Sequence, residues 1–257
     1  MTSGKKARKQ RRTPAPPPVR STGARRASPK VLAVGAAVIA LAAAAAALAF
    51  ALTGGSSSST PTTVAGTLPD AGSAVQLFKG IPQHGNVLGK ASAPVTMVEY
   101  IDLQCPVCRA FESDVMPTIV PRFVKTGKVR VIARPIAFIG PDSVRGRLAA
   151  LAAGRQNFFF DFAQLLYYNQ GSENSGWLDD NLVRSAFSSI PGLNVAAAEQ
   201  ARTETAIAQE GDRFEAQATA DNVTGTPTVL VGKTGGKLTE VVSPDVSNLT
   251  AAIQRAS

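Results

Sequence analysis

Pro94-Val95-Thr96-Met97-Val98-Glu99-Tyr100-Ile101-Asp102-Leu103-Gln104-Cys105-Pro106-Val107-Cys108 is the stretch around which the chain is organised. Its first part is apolar and β-branched and predicts a buried strand. Its last four residues hold the only two cysteines among 257 residues. Beyond them, Phe111, Val115, Ile119 and Phe123 recur every four residues, the spacing of one helix face. The two thiols therefore sit where a buried strand ends and a helix begins.

That position has chemical content. A helix N-terminus presents unpaired N–H groups and a positive partial charge, and both favour thiolate over thiol. Two intervening residues place the sulfurs one turn apart, close enough to join. Pro106 suits the first turn, where its missing N–H would have had no partner. Cys105 is expected to be the exposed nucleophile, and Cys108 the shielded thiol that resolves a mixed disulfide. Pro106 and Val107 bring no side-chain donor or charge, so backbone N–H groups and the helix dipole must carry the activation. Duller readings weigh less. A zinc site needs about four ligands, whereas the chain offers two cysteines and the single His84, which reads as a surface loop residue, so no metal site is expected. A structural disulfide across so small a loop would constrain the unfolded chain little.

The net charge of +9 points first to nucleic acid or a membrane surface. Its distribution removes nucleic acid. Ten of the 27 Lys and Arg fall in residues 1–30, which hold no Asp or Glu, leaving 17 basic against 18 acidic residues in the remainder. Residues 31–52 then run without a charge, mostly Ala, Leu and Val. Twenty-two residues make a helix of ~33 Å, enough to cross a bilayer core as a transmembrane signal anchor. The basic flank fixes its N-terminal side as cytoplasmic, so the rest of the chain is expected outside, single-pass at the cell membrane. A cleavable signal peptide ending near Ala49-Phe50-Ala51 is the alternative. Either way the remaining chain faces an oxidising space, where one closely spaced cysteine pair fits a protein that handles the disulfides of others.

Four regions follow from composition: a basic, Pro-rich disordered arm over 1–30, the anchor over 31–52, a Gly/Ser/Thr-rich linker over 53–72, and one folded domain over 73–257. Within the domain, 85–89 reads as a short edge strand, 95–101 as the long strand, and 106–126 as a helix that Pro117 and Pro121 kink or interrupt. Residues 129–134 form another strand. About 142–221 is helical, in stretches over 143–169, 179–190 and 195–220, with Phe158 to Phe160 and Trp177 as core. Strands over 228–231 and 238–242, separated by a turn over 232–236, and a helix over 245–255 close the chain.

This order, together with Glu99-Tyr100-Ile101-Asp102-x-x-Cys105-Pro106-Val107-Cys108 and Gly225-Thr226-Pro227-Thr228, resembles the DsbA family: an α/β thioredoxin-like fold with a helical insertion. The likeness covers about 84–257. It implies a thiol:disulfide oxidoreductase, with Cys105 attacking and Cys108 resolving, and with no bound cofactor. It implies a cis bond before Pro227 in a loop facing the active site, where the Thr226 backbone pairs with substrate. Glu99 lies on a strand covered on both faces and tends to keep its proton there; the family places at this position an acid that shuttles protons for the second cysteine. Pairing of Glu99 with a lysine is the plainer reading, and Asp102 reads as a cap or surface residue. The resemblance also implies reduced or unfolded exported proteins as substrates and a membrane reoxidant resembling DsbB or vitamin-K-epoxide reductase. Val107 stands where the best-known oxidase has histidine, which implies a weaker oxidant. A reductase or isomerase of the same fold is the alternative, although isomerases of this type dimerise through an added domain that no segment here matches. A binding module with idle cysteines is the other.

Overall fold

A computed structural model of the chain describes residues 67–257. The basic arm, the anchor over 31–52 and the linker up to residue 66 lie outside the described residues. Among the described residues, no helix is long and apolar enough to cross a membrane.

The long strand is where the sequence places it. β3 (Val95–Ile101) is buried at every position, as an apolar run covered on both faces must be. It pairs in parallel with β4 (Val129–Pro135), Val95 opposite Val129 through Ile101 opposite Pro135. On its other side it pairs antiparallel with β5 (Thr228–Lys233). A short hairpin, β1 (Gln83–His84) and β2 (Val87–Leu88), extends the β4 edge, and β6 (Thr239–Glu240) extends the β5 edge. The sheet order is β1-β2-β4-β3-β5-β6. The expected single edge strand over 85–89 is thus a hairpin. Gly85 turns it with φ +60°, and His84 is an exposed strand residue rather than a loop residue. Gly89 ends it at φ +104°, where a Cβ would meet the Val129 carbonyl at 2.9 Å.

The active-site helix α2 (106–124) is continuous despite its two prolines. Ordinary α-helical turns at Pro106–Ala110 and Met116–Ile119 alternate with wider π turns at Phe111–Val115 and Val120–Val124. Pro117 and Pro121 sit where the ladder changes step, so the N–H each lacks is not missed from a regular ladder. The expected interruption is therefore a pair of π turns. The first, closed by Met116 N–H to the Phe111 carbonyl, inserts one residue into the periodicity. The buried stripe accordingly changes at one position and widens: Met116, not Val115, is fully inside, while Ile119 and Phe123 are buried as expected, joined by Val120 and Val124.

Between β4 and β5 lies the helical insertion: α3 (Pro141–Gly154), α4 (Phe159–Tyr168), α5 (Asp180–Ser188), α6 (Val195–Ala201) and α7 (Thr205–Ala220). Two long helices expected here are each broken. The first ends where Asn157 adopts φ +65° and Phe158 N–H reaches back to the Ala153 carbonyl, a left-handed stop that Asn tolerates. The second breaks at 202–204, where Thr203 Oγ1 bonds the Gln200 carbonyl. β5 runs two residues further than expected, whereas β6 is shorter, and α8 (Val246–Ala256), capped by Asp245, packs on β5 and α2.

The folded part also begins earlier than residue 73. Helix α1 (Ala71–Phe78) buries Ala71, Ala74 and Phe78, and the Phe78 and Phe160 rings pack with centroids 5.8 Å apart. Leu68 N–H bonds Ser189 Oγ at 2.8 Å. Small residues at 71–74 resemble linker in composition, while their helical spacing makes a packing face.

Candidate active site

Cys105 ends the chain's run off β3 and serves as the N-cap of α2, with Pro106 in the first turn. Its Sγ accepts from Cys108 N–H at 3.4 Å, and its thiol donates to the Thr226 carbonyl at 3.3 Å. The Thr226–Pro227 peptide is cis, as the resemblance implied. The sequence-predicted residues Cys105, Pro106, Val107, Cys108, Thr226 and Pro227 thus meet at one end of the sheet, and Glu99 lies on the central strand beneath. One expectation needs correction. Cys105 is only 6% exposed, because the Thr226–Pro227 loop lies against it, whereas Val107 beside it is 60% exposed.

Both cysteines are free thiols here, and their electrostatics differ sharply. Cys105 is lowered from 9.0 to about 6. The hydrogen bond from the Cys108 thiol is the main cause; burial opposes it, and the Thr226 side chain and the N–H groups of Cys108 and Val107 reinforce it. Cys108 is fully buried, and burial first, then its bond to Cys105, pushes it well above 9.0. Two consequences follow for the reduced protein. Alkylation of Cys105 against pH is expected to show a midpoint near 6, and a midpoint near the ordinary thiol value would refute the asymmetry. A depressed folded value adds stability that is full above the unfolded value of 9.0 and lost as pH falls through about 6. The oxidised protein lacks this thiolate. The reduced form should therefore gain stability relative to the oxidised form as pH rises from about 6 to 9.

The loop carrying Cys105 is pinned from the insertion. Asp102, read above as a cap or surface residue, is fully buried and caps nothing. Its Oδ1 accepts from Gln104 N–H and Ser143 Oγ, both at 2.8 Å, and its Oδ2 from the N–H groups of Phe138 and Ile139 at 2.8 and 2.9 Å. Its carbonyl accepts from Cys105 N–H at 3.0 Å and from the Tyr167 hydroxyl at 3.2 Å. Gln170 Nε2 donates to the carbonyls of Leu103 and Cys105. The Thr226 loop is anchored at its start, where Asp221 takes the Tyr100 hydroxyl at 2.6 Å and Arg134 at 3.1 Å, with Arg134 also donating to Tyr100.

Glu99 is 1% exposed, flanked in the sheet by Ala133 and Val229 rather than by lysine. Burial raises it from 4.5 to about 8, so it holds its proton at neutral pH. A second acid, Glu112, is 5% exposed on α2 and is raised well above 4.5 by burial and by Glu99. The sequence reading missed it. Its signal was the four-residue step from Cys108, which puts it on the same helix face.

Beside Cys105 a groove of about 370 Å³ opens, mostly apolar, between Val107, Phe111 and Val115 of α2 and Thr226, Pro227 and Pro244 across from it. A dithiol at a helix N-terminus, one thiol poised as thiolate and the other as thiol, beside a groove and under a cis-proline loop, defines a thiol:disulfide oxidoreductase of the thioredoxin fold. The chain belongs to the thioredoxin family, and within it to the DsbA-like oxidoreductases: a family model described as thioredoxin matches residues 83–254. Disulfide bond formation protein D of Bacillus subtilis is 30% identical over 167 residues, covering 63% of this chain and 72% of that protein. The probable disulfide bond formation protein D of Bacillus cereus is 29% identical over 171 residues, covering 65% of this chain and 76% of that one. Among solved structures, oxidised BdbD from Bacillus subtilis shares the fold with a TM-score of 0.59 at 24% identity, over 68% of this chain and 96% of that chain.

Proposed function

We propose that this oxidoreductase works as an extracytoplasmic oxidase that introduces disulfides into exported proteins, held at the membrane by residues 31–52. The observation that supports the direction is the depressed Cys105 thiol. A sulfur whose thiolate is stabilised leaves a disulfide readily, and stabilising the reduced form makes the disulfide more oxidising. The basic 1–30 segment, the uncharged 31–52 run and the relatives named for disulfide bond formation support the location.

A substrate thiolate attacks Cys105 Sγ of the Cys105–Cys108 disulfide, and Cys108 Sγ leaves with the bonding electron pair and takes a proton, supplied by Glu99. The substrate's second thiolate attacks the substrate sulfur of the mixed disulfide. Cys105 leaves as a thiolate, a good leaving group at neutral pH. The substrate has lost two electrons and the Cys105–Cys108 pair has gained them. A membrane partner linked to quinone, of the kind that the DsbA resemblance implies, takes them back. The groove and the Thr226 backbone hold an extended, unfolded segment beside Cys105, with Val107 as an exposed apolar contact.

The test is the redox state of Cys105–Cys108 in acid-trapped cells, read by thiol-alkylation gel shift. A pair held oxidised, turning reduced when quinone turnover is blocked, is the expected result. A pair held reduced would overturn the oxidase direction.

A further inference from the structure

The loop that covers Cys105 is held at both ends by one residue of β3. Tyr100 stands opposite Arg134 in the β3–β4 register and opposite Thr228 in the β3–β5 register. It is fully buried, and its hydroxyl donates to Asp221 Oδ2 at 2.6 Å, at the C-terminal end of α7. Arg134 donates to the same Asp221 oxygen at 3.1 Å and also to the Tyr100 hydroxyl. Its guanidinium carbon lies 5.2 Å from the centre of the Tyr100 ring. Burial, and then the bond to Asp221, push the Tyr100 hydroxyl up to about 12, so it remains a donor at neutral pH.

Residues 221–228 therefore begin and end beside Tyr100. Little else fixes them in between. Asn222 turns off α7 at φ +56°, and Val223 N–H bonds the Ala218 carbonyl at 2.9 Å. Thr228 Oγ1 donates to the Gly225 carbonyl at 2.8 Å, a bond within the loop. A Cβ on Gly225 would meet nothing within 4 Å, so the loop stands clear on that side. Among the described residues, Thr224 to Pro227 reach the rest of the protein through one hydrogen bond, from the Cys105 thiol to the Thr226 carbonyl. Stability alone asks for less than this arrangement. Phenylalanine would fill the Tyr100 ring site, and an ion pair as exposed as Arg134–Asp221 is worth little by itself. What the three groups supply is a fixed start for a loop whose far end stands over Cys105.

We propose that Tyr100 and Asp221 are positioning residues for disulfide exchange: their bond fixes the start of the 221–228 loop, and so holds the Thr226 backbone where an extended peptide can lie beside Cys105. This rests on the reading that the Thr226 backbone pairs with substrate. It holds in either redox direction, because a sulfur must reach Cys105 past the same loop whichever way the electrons run. A misplacement of ~1 Å at such a site can cost on the order of 100-fold in rate.

The experiment follows single-turnover reduction of the Cys105–Cys108 disulfide in the full chain. One reductant is a reduced two-cysteine peptide, and the other is dithiothreitol, too small to pair as a strand. In either reaction the dithiol is oxidised to a disulfide and the Cys105–Cys108 bond is reduced. Cys108 keeps one of the two protons released, and the other goes to the solvent when Cys105 is left as a thiolate. Tyr100→Phe and Asp221→Ala are each expected to slow the peptide on the order of 10-fold, chiefly by raising the concentration that gives half the maximal rate. Dithiothreitol should react faster, since a loosened loop uncovers Cys105. The double variant should be no slower with peptide than the worse single, because both substitutions remove one contact.

An unchanged ratio of peptide to dithiothreitol rates in folded variants would overturn the positioning role, as would single losses that multiply in the double variant. A peptide N-methylated at the amides beside its first cysteine tests the underlying reading on the wild type. It should be the slower peptide; equal rates would overturn the pairing with Thr226, and the positioning role with it. Tyr100→Phe keeps the buried ring, so should Asp221→Ala fail to fold, the rate ratio of Tyr100→Phe decides alone.

Discussion

Cys108→Ala is expected to accumulate mixed disulfides with proteins that already carry a disulfide, which the Cys105 thiolate attacks with the second substrate sulfur as leaving group, visible on non-reducing gels after acid quenching, whereas Cys105→Ala accumulates none. Both should lose disulfide transfer by on the order of 10³-fold or more, because each half of the reaction needs its own sulfur. The difference between them follows from placement. Cys105 donates to Thr226, which lines the groove, and is shifted to about 6, so it is expected to meet substrate as thiolate. Cys108 is fully buried and shifted well above 9.0, so it reaches only Cys105. Remove Cys108, and a substrate joined to Cys105 has no internal thiol to release it. A binding module with idle cysteines would tolerate both substitutions. A Cys108→Ala protein that captures nothing through Cys105 would remove the assigned order of attack.

Legibility of the fold tracked how local its causes are. β3 could be read residue by residue, since a strand covered on both faces shows as an unbroken apolar run, and Pro106 marks the helix start beside it. The face of α2 missed at one position, Val115, while Phe111, Ile119 and Phe123 are buried as the spacing predicts. A π turn adds a residue for which a 3.6-residue period has no place, so Val115 was expected where Met116 is buried. Asp102 and Glu112 show the same limit for side chains. An acid near a helix start usually caps it, and an acid beside Ser113 and Asp114 looks solvated. Both are buried by distant partners: three of the four donors to Asp102 lie 36 to 41 residues downstream, and Gln164 of α4 reaches the Glu112 carbonyl. The Thr226–Pro227 loop was placed by resemblance alone, because nothing in Gly225-Thr226-Pro227-Thr228 specifies a partner 121 residues away at Cys105.

These long-range partners also separate two kinds of buried acid in one site. Glu99 and Glu112 each leave one buried oxygen without a hydrogen-bond partner, and burial raises both. Asp102 is as buried but fully partnered, which suits it to positioning. Burial alone would have assigned all three the same role. The hydrogen bonds tell them apart.

Asp102→Ala is accordingly expected to lower stability by ~3 kcal/mol or more, since it strands buried donors rather than removing a matched pair. The exposed neighbourhood of Phe138 lets water reach the 138–139 N–H groups, so their loss is softened. Gln104 N–H has no such relief, because Gln104 is fully buried, and the Ser143 hydroxyl is left to the Gln104 side chain. Asp102→Asn should fall between the variant and the wild type. An amide oxygen can serve one pair of donors, while its NH₂ faces the other pair with nothing to accept. The cap itself should persist in both variants, because Cys105 N–H bonds the Asp102 carbonyl, which neither substitution removes. Urea unfolding should therefore show the midpoint falling in the order wild type, Asn, Ala with an unchanged slope, while the Cys105 alkylation midpoint stays near 6. If the midpoint of alkylation instead climbs toward 9.0, the Asp102 side chain is needed for the thiolate besides the Cys108 thiol and the N–H groups at the helix start. If Asp102→Ala unfolds with the wild type, the four hydrogen bonds do not hold the redox loop to the insertion.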